Sequence, residues 1–396
     1  MWGIERIDAD EAYRRAEFPV VAQRVFLAHA AVCPLPAVVC RAVQSYLDRA
    51  SREDQEHWFA RGEEANLRRR AAVFLGVEED EVALIAPTSL GISMVAHGLP
   101  WRAGDNVVLC GEDFPSNYYP WLLLREQGVE IRQVRTPFAG AVEPPAVVEQ
   151  MDGRTRLVAL ASGHFVSGFR IDPDAIGREV HARGALFCLD AIQTLGAMPT
   201  SLAEVDFAAA DAHKWLLGPQ GAGWLVVRRQ HHELLRPVQW GWRNVRCPGY
   251  IVGSHVEYVR GAARYEGGSA NFLGQVGVDA AAQALARVGI ERVAARLLER
   301  RRQVVAGMER LGFETYPIPA ARQSGIASFW AAGASAPRLG QRLSAQGIDV
   351  SVRSRAGGEP VLRVAPHFYN TPVEIDRFLD AVEAALPESR PAGRGQ

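Results

Sequence analysis

The sequence predicts an α/β protein: a large domain on a mainly parallel seven-stranded sheet, followed by a small C-terminal α+β domain. Three observations carry this reading. Seven short apolar runs, most of them continuous rather than alternating, recur through the first two-thirds of the chain, as strands buried on both faces require. Helical patterns lie between several of them, and strand–helix alternation implies parallel strands with helices on both faces. After about Gly274 the texture changes to long helical patterns rich in Ala, Leu and Arg.

Taken in order, the strand runs are Val82–Ala86, Asn106–Cys110, Glu130–Val134, Arg156–Ala161, Ala185–Leu189, Asp206–Ala210 and Gly223–Arg228. Leu90–Gly98, Tyr118–Gln127 and Asp174–Arg183 read as helices among them. Beyond the sheet, Val276–Val288 and Ile290–Leu311 read as long helices, Ile326–Trp330 and Val361–Val364 as short strands, and Pro372–Leu386 as a closing helix. The predicted division is an N-terminal segment over 1–24, a large domain over 25–274, a small domain over 275–386 and a disordered tail over 387–396.

Composition narrows the function classes. With 396 residues, 48% of them hydrophobic, the chain can bury a large core. A formal net charge of -1 gives no sign of a nucleic-acid surface. Cys33, Cys40, Cys110, Cys188 and Cys247 are scattered, without a CxxC pair or zinc-ligand spacing, so no metal site is expected and the thiols read as reduced. Met1-Trp2-Gly3-Ile4-Glu5-Arg6 is not a signal peptide, and no apolar stretch is long enough for a membrane span. The expectation is a cytoplasmic protein with a small-molecule substrate and neither membrane nor nucleic-acid partners.

The chemistry centres on Lys214, in Asp211-Ala212-His213-Lys214-Trp215. An apolar strand precedes it and the Gly-rich Gly218–Gly223 turn follows, which places it at the carboxyl edge of the sheet, where ligands bind in open α/β folds. Asp190 ends another strand at that edge, as a functional carboxylate or as a cap for the residues after it. A buried amine with an upstream carboxylate is the arrangement that pyridoxal phosphate requires. Thr88-Ser89-Leu90-Gly91 follows a strand and opens a helix, which makes either an anion site or a simple hydroxyl cap. No GxGxxG turn follows a strand, which argues against a nicotinamide dehydrogenase.

At these residues the chain resembles the class V aminotransferase family, from about Val25 to Leu386. That family has the fold-type-I pyridoxal phosphate architecture and includes cysteine desulfurases, kynureninases and isopenicillin-N epimerase-like proteins. The resemblance implies a Schiff base on Lys214 and a salt bridge from Asp190 to the pyridine nitrogen. It puts Gln193 and His164 near the phenolic oxygen, Thr88, Ser89, Leu90 and His213 at the phosphate, and Phe114 over the ring. Asp211 stands where desulfurases often have a hydroxyl residue and is expected to point away from a phosphate. Gly268 and Ser269 resemble a turn that reaches the neighbouring subunit's phosphate, which implies a homodimer with shared active sites. Arg363 matches the arginine that forks an α-carboxylate. Side-chain selectivity would come from residues such as His29, Trp58, Tyr118, Arg243 and Tyr250, with Trp242 at the same edge as the shared turn.

One absence separates the branches. No cysteine follows Cys247, and the stretch that carries the desulfurase nucleophile reads Ser351-Val352-Arg353-Ser354-Arg355-Ala356-Gly357-Gly358. Persulfide formation there is excluded, whereas β-elimination needs no such thiol. The implied activity is an aminotransferase or C–S/β-lyase acting on an α-amino acid. An epimerase, a kynureninase-like hydrolase and a non-catalytic protein of the same fold stand as alternatives.

Overall fold

A two-residue strand, β1 (Val25–Phe26), precedes the seven strands of the main sheet: β2 (Val82–Ile85), β3 (Asn106–Cys110), β4 (Glu130–Val134), β5 (Thr155–Ala161), β6 (Leu186–Asp190), β7 (Phe207–Asp211) and β8 (Gly223–Val227). The computed structural model describes residues 2–55, 62–355 and 357–389, without the side chains of Tyr250 and 387–389. Trp58 and residues 390–396 of the expected tail therefore lie outside the described residues. The strand order is β2-β8-β7-β6-β5-β3-β4. Neighbours from β7 through β4 run parallel, and β8 is antiparallel to both β7 and β2.

Alternate residues of the central strands serve two separate cores, as a period of two demands. Val108, Val158, Phe187, Leu189 and Ala208 pack on one face. Val107, Leu109, Leu157, Ala159, Cys188 and Phe207 pack on the other. Each large apolar side chain removed from water in this way contributes about 1.5–3 kcal/mol. Helices match the sequence pattern at Thr88–Gly98 and Pro173–His181. The single helix expected over Tyr118–Gln127 is instead a short α segment, Tyr119–Leu122, followed by a 3-10 segment, Leu123–Gln127, ended by Gly128 at φ 79°.

The small domain holds β9 (Glu314–Thr315), β10 (Ala327–Trp330), β11 (Ile348–Asp349), β12 (Ser351–Ser354) and β13 (Pro360–Val364). Four of these form an antiparallel sheet in the order β12-β13-β10-β9. Helices Ile290–Arg310, Ala336–Ala345 and Pro372–Ser389 contribute to its core with Val304, Leu339, Leu343 and Phe378.

Two stretches pack across the division drawn from sequence. Val25 and Leu27 sit in the small-domain core, and β1 pairs in parallel with β11. Arg14, 5% exposed, donates from Nη1 to Glu374 Oε1 at 2.9 Å and to the Tyr369 carbonyl at 3.3 Å. Arg24 Nη2 donates to Asp349 Oδ1 at 2.7 Å. The N-terminal segment thus packs on the small domain, through a strand too short to leave a periodic signal. In contrast, helix Phe272–Val288 is bound to the large sheet, where Gln275 Nε2 donates to the Ile85 carbonyl at 3.1 Å and the Gly223 carbonyl at 3.0 Å.

Candidate active site

The carboxyl ends of β2, β3, β5, β6 and β7 open onto one edge, and the chain turns there through Thr88, Phe114, Phe165, Asp190 and Lys214 in succession. The helix after β2 begins behind Pro87, and no side chain caps its N-terminus. It can approach the sheet because position 91 is glycine: a Cβ there would come within 2.8 Å of Ile85 and 2.9 Å of Ala209. Thr88 Oγ1 accepts from the Asp211 amide at 2.8 Å, which ties the exit of β2 to the end of β7. Ser89 Oγ bonds Ser116 Oγ at 2.7 Å.

The turn after β7 is strained. Leu217 has φ 59°, the one non-glycine residue with positive φ among the described residues. A left-handed leucine costs about 1–2 kcal/mol. Complete burial of its side chain and bonds from the Leu217 amide to the Lys214 carbonyl (3.2 Å) and from the Gly218 amide to the Ala212 carbonyl (2.9 Å) hold it there.

These turns enclose a cavity of about 300 Å³. Of the residues expected at the site, Thr88, Ser89, Phe114, Asp190, Gln193, His213, Lys214 and Arg363 line it. Lys214 is 7% exposed, with Nζ 5.2 Å from the centre of the Phe114 ring. Burial pushes its amine down to about 8; Asp190 pulls it back up, while Arg363 and Arg353 push it further down. Asp190 is buried, and its Oδ1 accepts from the Ile192 amide at 3.0 Å. Burial raises its carboxyl above the usual range against the pull of Lys214. Behind it, Asp113 is raised to about 7 by burial and then by the charge of Asp190, while bonds from Asn117, the Phe114 amide and the Ala161 amide work the other way.

Arg363 reaches the cavity from β13. It is 1% exposed, and burial pushes its pKa down to about 9, helped by Arg353. Its Nη1 donates to the Phe165 carbonyl at 2.6 Å and its Nη2 to Ser351 Oγ at 3.3 Å, while its buried Nε has no acceptor. Gln193 bridges the Ala30 carbonyl (3.2 Å) and the Trp215 indole N–H (2.9 Å). His213 Nδ1 and Asp211 Oδ1 approach to 3.0 Å without hydrogen-bond alignment, so both stay unsatisfied. The other oxygen of Asp211 accepts from the Gly221 amide at 3.3 Å, and Asp211 does not line the cavity.

Leu90, His164, Gly268 and Ser269 are not brought to the cavity. His164 departs most from the expectation. Its Nε2 donates to the Glu112 carbonyl at 2.8 Å, and its Nδ1 accepts from the amides of Val166 (3.3 Å) and Ser167 (3.2 Å). Burial lowers it to about 4, so it is a neutral structural group, and the adjacent Phe165 faces the cavity instead. Gly268 and Ser269 are exposed on their own chain. Three of the five suggested selectivity residues, His29, Arg243 and Tyr118, are engaged elsewhere. His29 bonds the Ala365 carbonyl (3.0 Å) and the Tyr369 hydroxyl (2.7 Å), Arg243 pairs with Glu64 and Glu266, and the Tyr118 hydroxyl accepts from Gln133 at 3.1 Å. Sequence reasoning missed Phe165 and Arg353, both cavity residues. Among the described residues no His/Cys/Asp/Glu group could hold a metal ion, and no helix is long and apolar enough to cross a membrane.

Comparisons with known proteins give the family and the fold. A family model described as aminotransferase class-V matches residues 25–378. A probable cysteine desulfurase of Methanothermobacter thermautotrophicus is 29% identical, over 93% of this chain and 96% of its own length. An uncharacterized aminotransferase of Bacillus subtilis is 28% identical, over 94% of this chain and 97% of its own. The apo structure of a cysteine desulfurase from Thermococcus onnurineus NA1 shares the fold, with TM-score 0.88 at 22% identity, covering 95% of this chain and 98% of that one.

Proposed function

From the chain's membership of the aminotransferase class-V family, we propose that it is a pyridoxal phosphate-dependent enzyme that acts on an α-amino acid, as an aminotransferase or a C–S/β-lyase. The observation that carries this is Lys214, an amine 7% exposed and lowered to about 8, facing Asp190 and Arg363 across one cavity.

The cavity residues fit the cofactor. The uncapped helix N-terminus at Thr88 and Ser89, with the unsatisfied His213 beside it, suits a phosphate. Asp190 suits a protonated ring nitrogen, Phe114 offers an aromatic face, and Lys214 offers a reactive amine. When bound, the cofactor supplies an electron-withdrawing ring that accepts the charge left when a bond at the substrate α carbon breaks. The chain's own groups do the rest. Arg363 pairs with the α-carboxylate through its planar donors and orients the α carbon. Lys214 Nζ, unprotonated in part at neutral pH, takes the α proton and carries it to the next acceptor. Asp190 would hold the protonated ring nitrogen, and Phe114, whose ring centre lies 5.3 Å from that of Phe165, would stack on the ring.

The absence of any cysteine after Cys247 directs the reading away from a thiol nucleophile and toward elimination or amino transfer. We also propose a cytoplasmic homodimer. All five cysteines are free, which suits a reducing compartment. Trp240 (65% exposed), Trp242 (47%), Ile251 (75%) and Val252 (92%) leave an apolar surface in the segment that leads to Gly268 and Ser269, as a shared site would need.

The test is the visible absorption of the wild type and Lys214→Ala, with added cofactor, against a panel of amino acids. A band altered in the variant and bleached by one amino acid supports the reading. Release of a keto acid marks transamination; pyruvate and ammonia with the band restored mark elimination. No band in the wild type with added cofactor overturns it.

A further inference from the structure

Arg353 has no task in the reaction above, yet it faces the same cavity. Across β12 and β13, Ser351 pairs with Arg363, and Arg353 pairs with Val361. Residues two apart on a strand share a face, and so do cross-strand partners. Arg353 and Arg363 therefore leave the sheet on one face as diagonal neighbours, roughly 7–8 Å apart or closer. Their anchoring differs. Arg363 is fully buried and held by Phe165 and Ser351. Arg353 is half-buried and, among the described residues, donates only to the carbonyl of Val352, at 2.8 Å. No ion pair to a described carboxylate engages either one.

Among the described residues that line the cavity, Arg353 has no carboxylate partner. Lys214, Arg353 and Arg363 line it against a single carboxylate, Asp190. In the proposed reaction Asp190 faces the ring and the α-carboxylate takes Arg363. An amino acid such as alanine would leave the partly desolvated Arg353 guanidinium with the Val352 carbonyl as its one acceptor among the described residues, which is costly. A second anion on the substrate would remove that cost.

Resting on the proposed reaction, we infer that Arg353 is a specificity-determining residue and that the substrate is an α-amino acid whose side chain ends in a small oxyanion, a carboxylate or a sulfinate. Arg353 takes the side-chain anion while Arg363 holds the α-carboxylate. The guanidinium fork matches both kinds of oxyanion.

The test uses cofactor-loaded wild type, Arg353→Gln and Arg353→Lys. Each is titrated with L-aspartate, L-glutamate and L-cysteine sulfinate, and with L-asparagine, L-glutamine and L-alanine. Binding is followed by the cofactor's visible absorption, and turnover by product. In the wild type the best acid binds about tenfold or more tighter than its neutral counterpart. That ratio falls toward one in Arg353→Gln through KM rather than kcat, and Arg353→Lys, which keeps the charge without the fork, retains only part of it. A wild type that prefers neutral amino acids overturns the inference alone. So does an Arg353→Gln variant that weakens acids and neutrals alike, since Arg353 then belongs to the α-carboxylate site. If the band forms but no amino acid perturbs it, the proposed reaction itself fails, and the inference falls with it.

Discussion

The two ends of the main-sheet strands treat buried charge in opposite ways. At the amino end the buried carboxylates Asp206 and Glu81 are each met by several donors. Asp206, just before β7, accepts from the Phe187 amide (2.7 Å), His231 (2.6 Å) and His181 (2.9 Å). Glu81, just before β2, accepts from Arg228 (2.9 Å) and the Arg229 amide (3.0 Å). At the carboxyl end Lys214, Arg353 and Arg363 have no carboxylate within ion-pair distance among the described residues, and Asp190 accepts one amide. Burying an ion without a partner is expensive, and hydrogen-bonded partners offset much of that cost. The amino end is built for the fold, and the carboxyl end gives up stability to keep groups ready for a ligand.

This contrast breaks if a carboxyl-end change acts mainly on stability. Lys214→Ala should lower turnover about 10³-fold or more, with the melting temperature unchanged or higher. A large drop in melting temperature would place Lys214 among the structural groups. Asp190→Asn should cost roughly 10²–10³-fold in kcat/KM. In the cofactor-free protein it should also drop the Lys214 amine below about 8, because the charge of Asp190 is what opposes burial there. The pH dependence of amine labelling at Lys214 measures this, and a rise would refute the field described.

At the other end the signs reverse. Asp206→Asn should cost about 2–3 kcal/mol in urea unfolding while kcat/KM stays within about twofold. The smallest effect concerns pH. Burial works against protonation of His181, but its bonds to Asp206 and Glu204 prevail and raise its pKa. A raised histidine stabilises the fold fully below about 6.5 and loses that contribution as the pH climbs through the folded value. Burial likewise opposes ionisation of Asp206, yet His231, the Phe187 amide and His181 bring it net below the usual range. Its contribution is present above about 3.9 and fades as the pH falls through the folded value. The melting-temperature gap between wild type and His181→Asn should therefore be wider at pH 6 than at pH 8. It should not exceed about 2 °C, since His181 is partly exposed. An equal gap at both values would detach His181 from the Asp206 cluster.

What could be read from the sequence follows the same division. The seven main strands lie within one or two residues of their apolar runs, because β-branched stretches bounded by Gly and Asp carry their own signal. Lys214, Asp190 and Thr88 stand in local strand-to-turn motifs and could be placed at one edge. Phe165 and His164 could not be told apart, since a single residue decides which side of the turn closed by Gly168 (φ 81°) each one takes. Arg353 was hidden because its direction depends on the register of β12 against β13, which no local pattern encodes. The docking of residues 4–27 on the small domain was hidden for a similar reason, since its ion-pair partners there lie 287 to 360 residues away.

That docking has a consequence for how the chain is made. Arg24 and Asp349, which close the junction between β1 and β11, are 325 residues apart. At synthesis rates of about 5–20 residues per second, Arg24 waits roughly 15–65 s for its partner. Meanwhile the large sheet emerges complete, and the first helices wait with Trp2, Phe18 and Leu27 still unburied. A chaperone that holds a nascent amino terminus, or a ribosome pause before Ile348, would act on this step and leave the sheet untouched.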